Sequence, residues 1–305
     1  MKNISLTILL LICTKIVLAQ HTDQALLRVK YDLTHLRDTT NKANLYKETM
    51  LLVVGKNASM FLSYDKILRD VEAKAAFEQQ IKEQAGNITA IKSPPRTRAY
   101  TGTELYYYAN EHKLYNLEAM GTNYLTEETP EKIAWKITKD TLNIEGVNCK
   151  KALATYKGRN WIAWFTEELP FPSGPWKLIG LPGLILKAHD DKNEVSFDFA
   201  GMEKVDHNKK KAEISLDQYQ LKKLGRSDVL QSKEIVFPTN AVKTTVEELD
   251  RLKETKLKDP QGFAKAQLAA MGMGGITPIS SGSNTAKSAI TPNNKFNNPI
   301  EKTKN

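Results

Sequence analysis

Side chains able to hold a metal ion cluster most closely in one short segment of the sequence. His189, Asp190 and Asp191 are consecutive, and Glu194 follows three residues later. Carboxylate oxygens suit a hard cation such as calcium, but the segment lacks the glycine and the ligand order of a calcium-binding loop. We interpret it as a polar turn between two strands, and a metal site built from the same four residues is the alternative.

The other reactive side chains do not form a catalytic pattern. Cys149 lies in an apolar strand pattern typical of a core cysteine, and its neighbours Lys150 and Lys151 point in different directions on a strand. Ser173 is not in the Gly-x-Ser-x-Gly context of a hydrolase nucleophile. The histidines lack metal-binding spacing, and the sequence contains no phosphate-binding glycine loop. We therefore predict that the chain is not an enzyme and has no cofactor.

Aromatic side chains are better suited to binding than to catalysis. Tyr106 and Tyr108 share one face of a predicted strand, and Tyr107 takes the other face. Trp161 and Trp164 lie on a second apolar strand. Amphipathic aromatic residues suit a groove for an apolar or peptide ligand. They suit an ordinary sheet equally well, so both interpretations stay open.

A loop rich in proline and glycine, residues 170–183, contains the most unusual segment of the sequence. Pro182-Gly183 fits the centre of a type II turn. The loop is either a recognition surface or a turn that seals one end of the sheet, and backbone geometry favours the seal. The predicted ligand- or partner-binding residues are Tyr106, Tyr108, Trp161, Trp164, Trp176, Leu181, Pro182 and Gly183.

Alternation of apolar and polar residues predicts a mainly β (α+β) fold. Residues 132–138 and 194–199 alternate with period two, and Trp161–Phe165 is apolar on both sides, which indicates a strand covered on both faces. Residues 109–112 and 157–160 read as hairpin turns. We expect one antiparallel sheet or open half-barrel with a few added helices.

Four helices are predicted outside the strands. Asp65 is the expected N-cap of a helix that runs to about Glu83. The second helix follows Ser215, the third runs from Thr245 to Lys256, and the fourth covers Gln261 to Met271.

The N-terminus has the pattern of an export signal. A basic start at Met1-Lys2-Asn3 is followed by the apolar run Ile4–Ile12 and by Ala19, a small residue at the expected cleavage site. The apolar run is shorter than the roughly 20 residues that span a bilayer. We predict a signal peptide at residues 1–19 and a mature protein that is soluble, not transmembrane. The periplasm is the expected location, with the cell surface or secretion as alternatives.

The C-terminus differs in composition from the rest. Residues 256–305 contain seven lysines and only two acidic residues, Asp259 and Glu301, so much of the net charge of +9 lies there. The remainder is close to neutral, which argues against nucleic acid as a partner. We predict a β-rich domain at residues 20–257 and a disordered, low-complexity tail at residues 258–305. Residues 296–300 could dock onto the fold, but such an apolar pair in a tail is more often solvated.

Several motifs resemble the GLPGLI family of exported bacterial proteins. Gly180–Ile185 matches the letter string from which that family takes its name. The flanking residues that also resemble the family are Trp135, Cys149–Ala152, Gly158–Thr166, Pro170, Gly174–Trp176 and Asn297–Glu301. The resemblance implies export and a function that is not settled. The strand-rich pattern is also similar to LolA-type envelope half-barrels, an analogy of fold that carries no function.

These observations lead to three hypotheses about function. The first is a non-enzymatic cell-envelope protein that binds a hydrophobic ligand, a lipid or an outer-membrane protein partner. The second is a metal-dependent envelope hydrolase or factor built on His189, Asp190, Asp191 and Glu194. The third is an assembly partner whose basic tail contacts an acidic surface.

Overall fold

The computed structural model describes residues 22–83, 99–208, 227–270 and 296–302. The predicted signal peptide at residues 1–19 and the helix predicted after Ser215 lie outside these ranges.

One large sheet dominates the described part of the chain. Its strands are β2 (Leu27–His35), β3 (Tyr46–Val54), β4 (Ala58–Ser63), β5 (Thr103–Tyr108), β6 (Lys113–Met120), β7 (Thr122–Glu128), β8 (Lys136–Ile144), β9 (Val147–Tyr156), β10 (Arg159–Thr166), β11 (Leu184–Asp190), β12 (Val195–Lys204) and β14 (Val242–Lys243). A separate pair joins β1 (Thr22–Gln24) to β13 (Glu234–Val236). The helices are α1 (Tyr64–Glu83), α2 (Val246–Lys258) and α3 (Pro260–Ala270), with a 3-10 turn at Ser227–Leu230.

The sheet consists of two antiparallel meanders joined in its middle. Strands β2 to β7 follow one another in space, and so do β12 to β8 in the reverse direction. The two series meet where β12 pairs with β2. Short β14 is the exception, because it pairs with β7 in parallel. The predicted mainly β fold with a large antiparallel sheet is confirmed, and the likeness to LolA stays a prediction.

Apolar side chains cover both faces of the central strands. On β3, Met50 and Leu52 belong to one buried cluster, whereas Leu51 and Val53 belong to another. Successive side chains of a strand point to opposite faces, so the two clusters lie on the two sides of the sheet. The first cluster is covered by the loop at residues 167–183, and the second by Ile67 of α1 and Ile235 of β13, among others.

The second predicted hairpin turn is shorter than expected. Only Lys157 and Gly158 form the turn between β9 and β10, and both have positive φ, 48° and 73°. Two consecutive positive φ values are the geometry of a type I′ turn, whose twist suits a two-residue hairpin. Arg159 and Asn160 therefore belong to β10 rather than to the turn. The first hairpin, β5–β6, turns at the predicted residues 109–112.

The helix starts show one error of the sequence analysis. The Ser63 hydroxyl accepts a hydrogen bond from the Lys66 amide (2.9 Å), so Ser63 caps α1. Asp65, the predicted cap, instead accepts from the amide of Thr49 (2.9 Å). Helix α2 begins after Thr245 as predicted and carries a full capping box with Glu248. None of the helices among the described residues is long and apolar enough to cross a membrane.

Two strand predictions need correction. Strand β8 begins only at Lys136, and Ile133 and Trp135 pack against the first cluster from a loop. The Trp135 indole there donates to the Ile179 carbonyl (2.9 Å). On β10 only one face is fully buried: Ile162 and Trp164 on the other face stay half-exposed.

The Pro-Gly loop is shaped by different residues than predicted. Gly183 does not have positive φ, so Pro182-Gly183 is not a type II turn; positive φ occurs at Trp176 (55°) and Gly180 (91°). Gly183 is required for another reason. A Cβ there would lie 2.0 Å from the Thr166 carbonyl oxygen, so only glycine lets the loop approach the end of β10.

Two parts of the predicted disordered tail are ordered. Helix α3 at residues 260–270 agrees with the helix predicted at Gln261 to Met271, although this stretch also lies in the range predicted as a disordered tail. Residues 296–302 pack against the sheet, so disorder is the wrong prediction there, because Asn298 and Ile300 find partners that the local composition does not reveal. Residues 271–295 and 303–305 lie outside the described ranges.

The close approach at Gly183 gives a test of the fold. Replacing Gly183 by alanine should destabilise the protein by about 1–3 kcal/mol, the usual range for overpacking. Gly102→Ala is the matched control, because a Cβ at Gly102 meets nothing within 4 Å. Urea unfolding of both variants measures the difference, and equal midpoints would contradict the packing assigned to Gly183.

Candidate functional site

The predicted binding residues do not form one surface. Tyr106 and Tyr108 are buried in the second cluster, whereas Trp161 and Leu181 are buried in the first cluster, on the opposite face. The Tyr108 ring packs edge-on with Tyr115 and Phe237, at centroid distances of 6.0 and 5.9 Å, and the Tyr115 and Phe237 rings lie 4.9 Å apart. These aromatic side chains therefore fill the interior of the fold.

The Pro-Gly loop packs its aromatic and aliphatic residues onto the sheet. The Trp176 ring lies 5.7 Å from Trp161 and 5.8 Å from Tyr156, and Leu178 is fully buried beside them. The cavity left between Trp176, Phe61 and Leu105 measures about 10 Å³, which is room for roughly one water molecule. The loop thus closes the first face, as the sealing interpretation predicts.

Two of the predicted residues reach the surface separately. Pro182 is exposed at the tip of the loop. Trp164 is half-exposed on the outer face of β10, where it pairs across the sheet with Lys151 and Lys187. The Lys151 ammonium lies 5.8 Å from the Trp164 ring centroid, a cation–π contact on an otherwise polar face.

The predicted metal-binding segment is organised around an arginine. Asp190 is buried at the end of β11, where one carboxylate oxygen pairs with the Arg159 guanidinium (2.5 Å). The other oxygen accepts from the amides of Glu194 (2.7 Å) and Val195 (3.1 Å). The Glu194 carboxylate also pairs with Arg159, at 3.0 Å. The Arg159 guanidinium thus occupies the position between the two carboxylates where a metal ion would bind.

The two remaining members of that segment face other partners. Asp191 accepts a hydrogen bond from the Asn160 side chain (2.9 Å), and His189 Nδ1 lies 3.0 Å from the Asp190 carbonyl. Within the described ranges, no three acidic, histidine or cysteine side chains gather around a common point that could hold a metal ion.

Arg159 binds the last described residues of the chain, 296–302, which we call the C-terminal segment. Its Nη2 donates to the Asn298 side-chain oxygen (2.8 Å) and to the Pro299 carbonyl (2.7 Å). Its Nε donates to the Ile300 carbonyl (2.9 Å). With Asp190 and Glu194 on Nη1, each of the five guanidinium N–H donors has an acceptor.

Residues after β2 hold the other side of the C-terminal segment. The Asn298 side chain donates to the Leu36 carbonyl (2.7 Å), and the Asn298 carbonyl lies 2.7 Å from His35 Nε2. The amides of Asn297 and Asn298 both donate to the Arg37 carbonyl. We call the surrounding residues, His35 to Arg37, Lys157 to Arg159, Asp190 and Glu194, the cradle.

Ion pairs fix the far end of the C-terminal segment. The Glu301 carboxylate accepts from both Lys157 and Lys177 at 3.0 Å, and Lys177 also binds Glu128 (2.6 Å). The two ammonium groups outweigh the effect of burial, so the pKa of Glu301 lies below its ordinary value. A Cβ at Gly158 would lie 2.7 Å from Lys302, so the turn also needs glycine to admit the segment.

Sequence reasoning missed the cradle because Arg159 was assigned to a turn. Once β10 begins at Arg159, period two places Arg159 on the same buried face as Trp161, Ala163 and Phe165. An arginine at a position that alternation assigns to the apolar face of a strand is the signal that could have revealed a buried ion pair.

Cys149 lies in the first cluster, as a core cysteine should. Its side chain is buried, and burial raises the pKa of the thiol to about 11. The thiolate form that a nucleophile requires is therefore disfavoured at neutral pH.

Comparison with known proteins gives a match of one family model to part of the chain and no activity. The model of a family described as a protein of unknown function (Porph_ging) matches residues 154–187. This range runs from the end of β9 to β11 and includes the string Gly180–Ile185, part of the resemblance noted in the sequence. No curated protein matches the chain.

Among solved structures, two crystal forms of PNGF-II, in space groups P21 and C2, are similar to this chain. Each has a TM-score of 0.44 and 14% sequence identity, and each comparison covers 76% of this chain and 32% of the other. The chain therefore spans about a third of the length of these structures.

The pKa of the buried His35 side chain, which contacts the C-terminal segment, determines how acid changes the stability of the fold. Burial lowers the pKa of His35 from 6.5 to about 4, although the bond to Asn298 opposes the shift. The charges of Arg37 and Arg159 lower the pKa further, and that of Asp190 raises it. Between these pH values the unfolded chain binds more protons than the folded chain, so stability should fall as pH drops from 6.5 towards 4, by up to about 3 kcal/mol.

Urea unfolding at a series of pH values checks this expectation. His35→Gln should remove most of the slope between pH 6.5 and 4.5, because Glu194 and Glu301, whose pKa values are lowered from 4.5, titrate below that window. His112→Asn, at an exposed position, should keep the slope. A slope that survives His35→Gln would show that another group is responsible.

Proposed function

We propose that this chain is a non-enzymatic cell-envelope protein that acts by binding another protein. The observation that carries the proposal is the patch formed by the exposed Phe296 and the half-buried Arg37 and Tyr46 at the edge of the cradle. It is supported by the closed interior of the fold and by the export pattern at residues 1–19.

The patch has the composition of a protein-binding hot spot. The Arg37 guanidinium stacks on the Tyr46 ring at 3.2 Å and lies 5.6 Å from the Phe296 centroid. The Phe296 side chain is 60% exposed, yet its position is held by the neighbouring amides that bond to Arg37. Aromatic residues and arginine dominate the binding energy of protein interfaces, so a fixed cluster of this kind suits a protein partner.

The interior argues against a bound lipid or other apolar ligand. The cavity under the Pro-Gly loop, at about 10 Å³, is far below the 300–1,000 Å³ of typical ligand pockets. Larger grooves on the described surface carry charged residues in their walls. One of about 390 Å³ is lined by Asp23, Asn57 and Glu111, among others, and one of about 310 Å³ places Arg28, Lys30 and Glu203 beside the apolar residues Leu51, Met202 and Leu230. Of the three ligand classes expected for an envelope protein, a protein partner fits these surfaces best.

Site-specific photo-crosslinking in intact cells tests the proposal. A benzophenone side chain placed at position 296 should give a discrete adduct with an envelope protein. The matched control is position 257 on α2, where Leu257 is 78% exposed and far from the cradle in sequence. Adducts of equal yield at both positions, or none at 296, would contradict a partner at the patch.

Native mass spectrometry of the mature chain, purified from envelope extract, provides the second arm. We expect the polypeptide mass without a stoichiometric small-molecule adduct. A lipid bound at one copy per chain, and lost on denaturation, would favour the lipid-carrier hypothesis instead.

A further inference from the structure

We infer that the cradle is a sequence-specific binding site for a short peptide, with the chain's own C-terminal segment as its ligand. The chemistry that it recognises is an asparagine followed by proline, an aliphatic residue and an acid, as in Asn298-Pro299-Ile300-Glu301. This extends the proposed function from the patch to a second, buried recognition site.

The cradle suits a peptide because it forms hydrogen bonds with both the main chain and a side chain of the C-terminal segment. The Arg159 guanidinium donates hydrogen bonds to two successive carbonyls, those of Pro299 and Ile300. The His35 ring is hydrogen-bonded to the carbonyl of Asn298. In return, the amides of Asn297 and Asn298 donate to a single carbonyl, that of Arg37. Such hydrogen bonds to the main chain hold the segment in place but do not by themselves select a sequence.

Selectivity comes from the asparagine side chain. Asn298 is 2% exposed, donates to Leu36 and accepts from Arg159. An aspartate would lose the donor, and an alanine would leave a buried guanidinium N–H without an acceptor. Asn297 provides an internal comparison, since its exposed side chain accepts only from Thr39 (3.0 and 3.2 Å).

The remaining positions restrict the ligand further. Proline has no N–H to satisfy at the point where only its carbonyl is bound. Ile300 packs partly against the first apolar cluster, and the Glu301 carboxylate lies between two ammonium groups. The Lys302 amide then donates to the Lys157 carbonyl (3.0 Å), so the contacts continue along seven consecutive residues.

The segment is also separable from the fold to which it binds. Twenty-five residues, 271–295, connect it to the end of α3, and its described contacts are to strand ends and turns rather than to α3. The site can therefore be emptied by cutting the connection after folding, without removing any residue that forms the cradle.

The experiment uses the full chain with a specific protease site inserted between Gly282 and Ser283. After folding and cleavage, the C-terminal fragment should remain bound through size-exclusion chromatography. A labelled synthetic peptide of residues 294–304 should exchange into the site, with its affinity measured by fluorescence anisotropy.

The sequence requirement is tested with two matched peptides. Asn298→Ala should bind roughly 10- to 100-fold more weakly than the natural peptide, because it leaves a buried charged donor unpaired. Asn297→Ala should bind within roughly threefold of it, because the lost bonds are exposed. Unchanged circular dichroism after cleavage shows that the sheet is still folded.

Three results would overturn the inference: release of the fragment from a folded chain with no peptide binding, equal affinity of the two alanine peptides, or binding of a scrambled peptide as tight as the natural one. Each of these leaves the crosslinking result at position 296 untouched. Conversely, specific peptide binding without any envelope adduct would support the cradle and contradict the proposed partner.

Discussion

A guanidinium group whose side chain is 1% exposed cannot rely on water, and every one of its N–H donors needs an acceptor inside the protein. Arg159 meets this requirement by drawing together parts of the chain that are distant in sequence. Asp190 and Glu194 come from the β11–β12 connection, and Asn298 to Ile300 come from the other end of the molecule. Removing one partner from a buried ion pair costs about 3–5 kcal/mol, so Arg159 and Asp190 strongly depend on each other.

The same constraint explains why this end of the sheet is polar while the rest is closed and apolar. The two meanders meet at β2 and β12, and the first cluster runs under that junction beneath the Trp176 loop. At the strand ends the apolar cover stops, and a buried polar residue lies at the end of β2, at the start of β10 and at the end of β11: His35, Arg159 and Asp190. The C-terminal segment completes the layer there by supplying carbonyl oxygens in place of water.

The sequence predicts the parts of this structure that depend on local pattern. Period two marks β12, the apolar run Trp161–Phe165 marks β10, and the helix predicted from Thr245 is α2. It does not predict contacts between residues that are far apart in the sequence. Asp65 has the type of a helix cap but bonds to Thr49, and Gly183 is needed for a carbonyl 17 residues earlier in the chain. For the candidate site, Asp190 and Glu194 were found among the predicted metal ligands, but their partner Arg159 was missed because it was assigned to the turn at residues 157–160.

The order in which a ribosome makes the chain gives the cradle a further meaning. Strands β2, β10 and β11 are complete long before residues 298–300 exist, so a growing or prematurely ended chain holds Arg159 with three donors unfilled. Only a polypeptide that includes residues 298–300 can supply these three acceptors. The cradle therefore distinguishes molecules that carry the C-terminal segment from molecules that end or are cut before it.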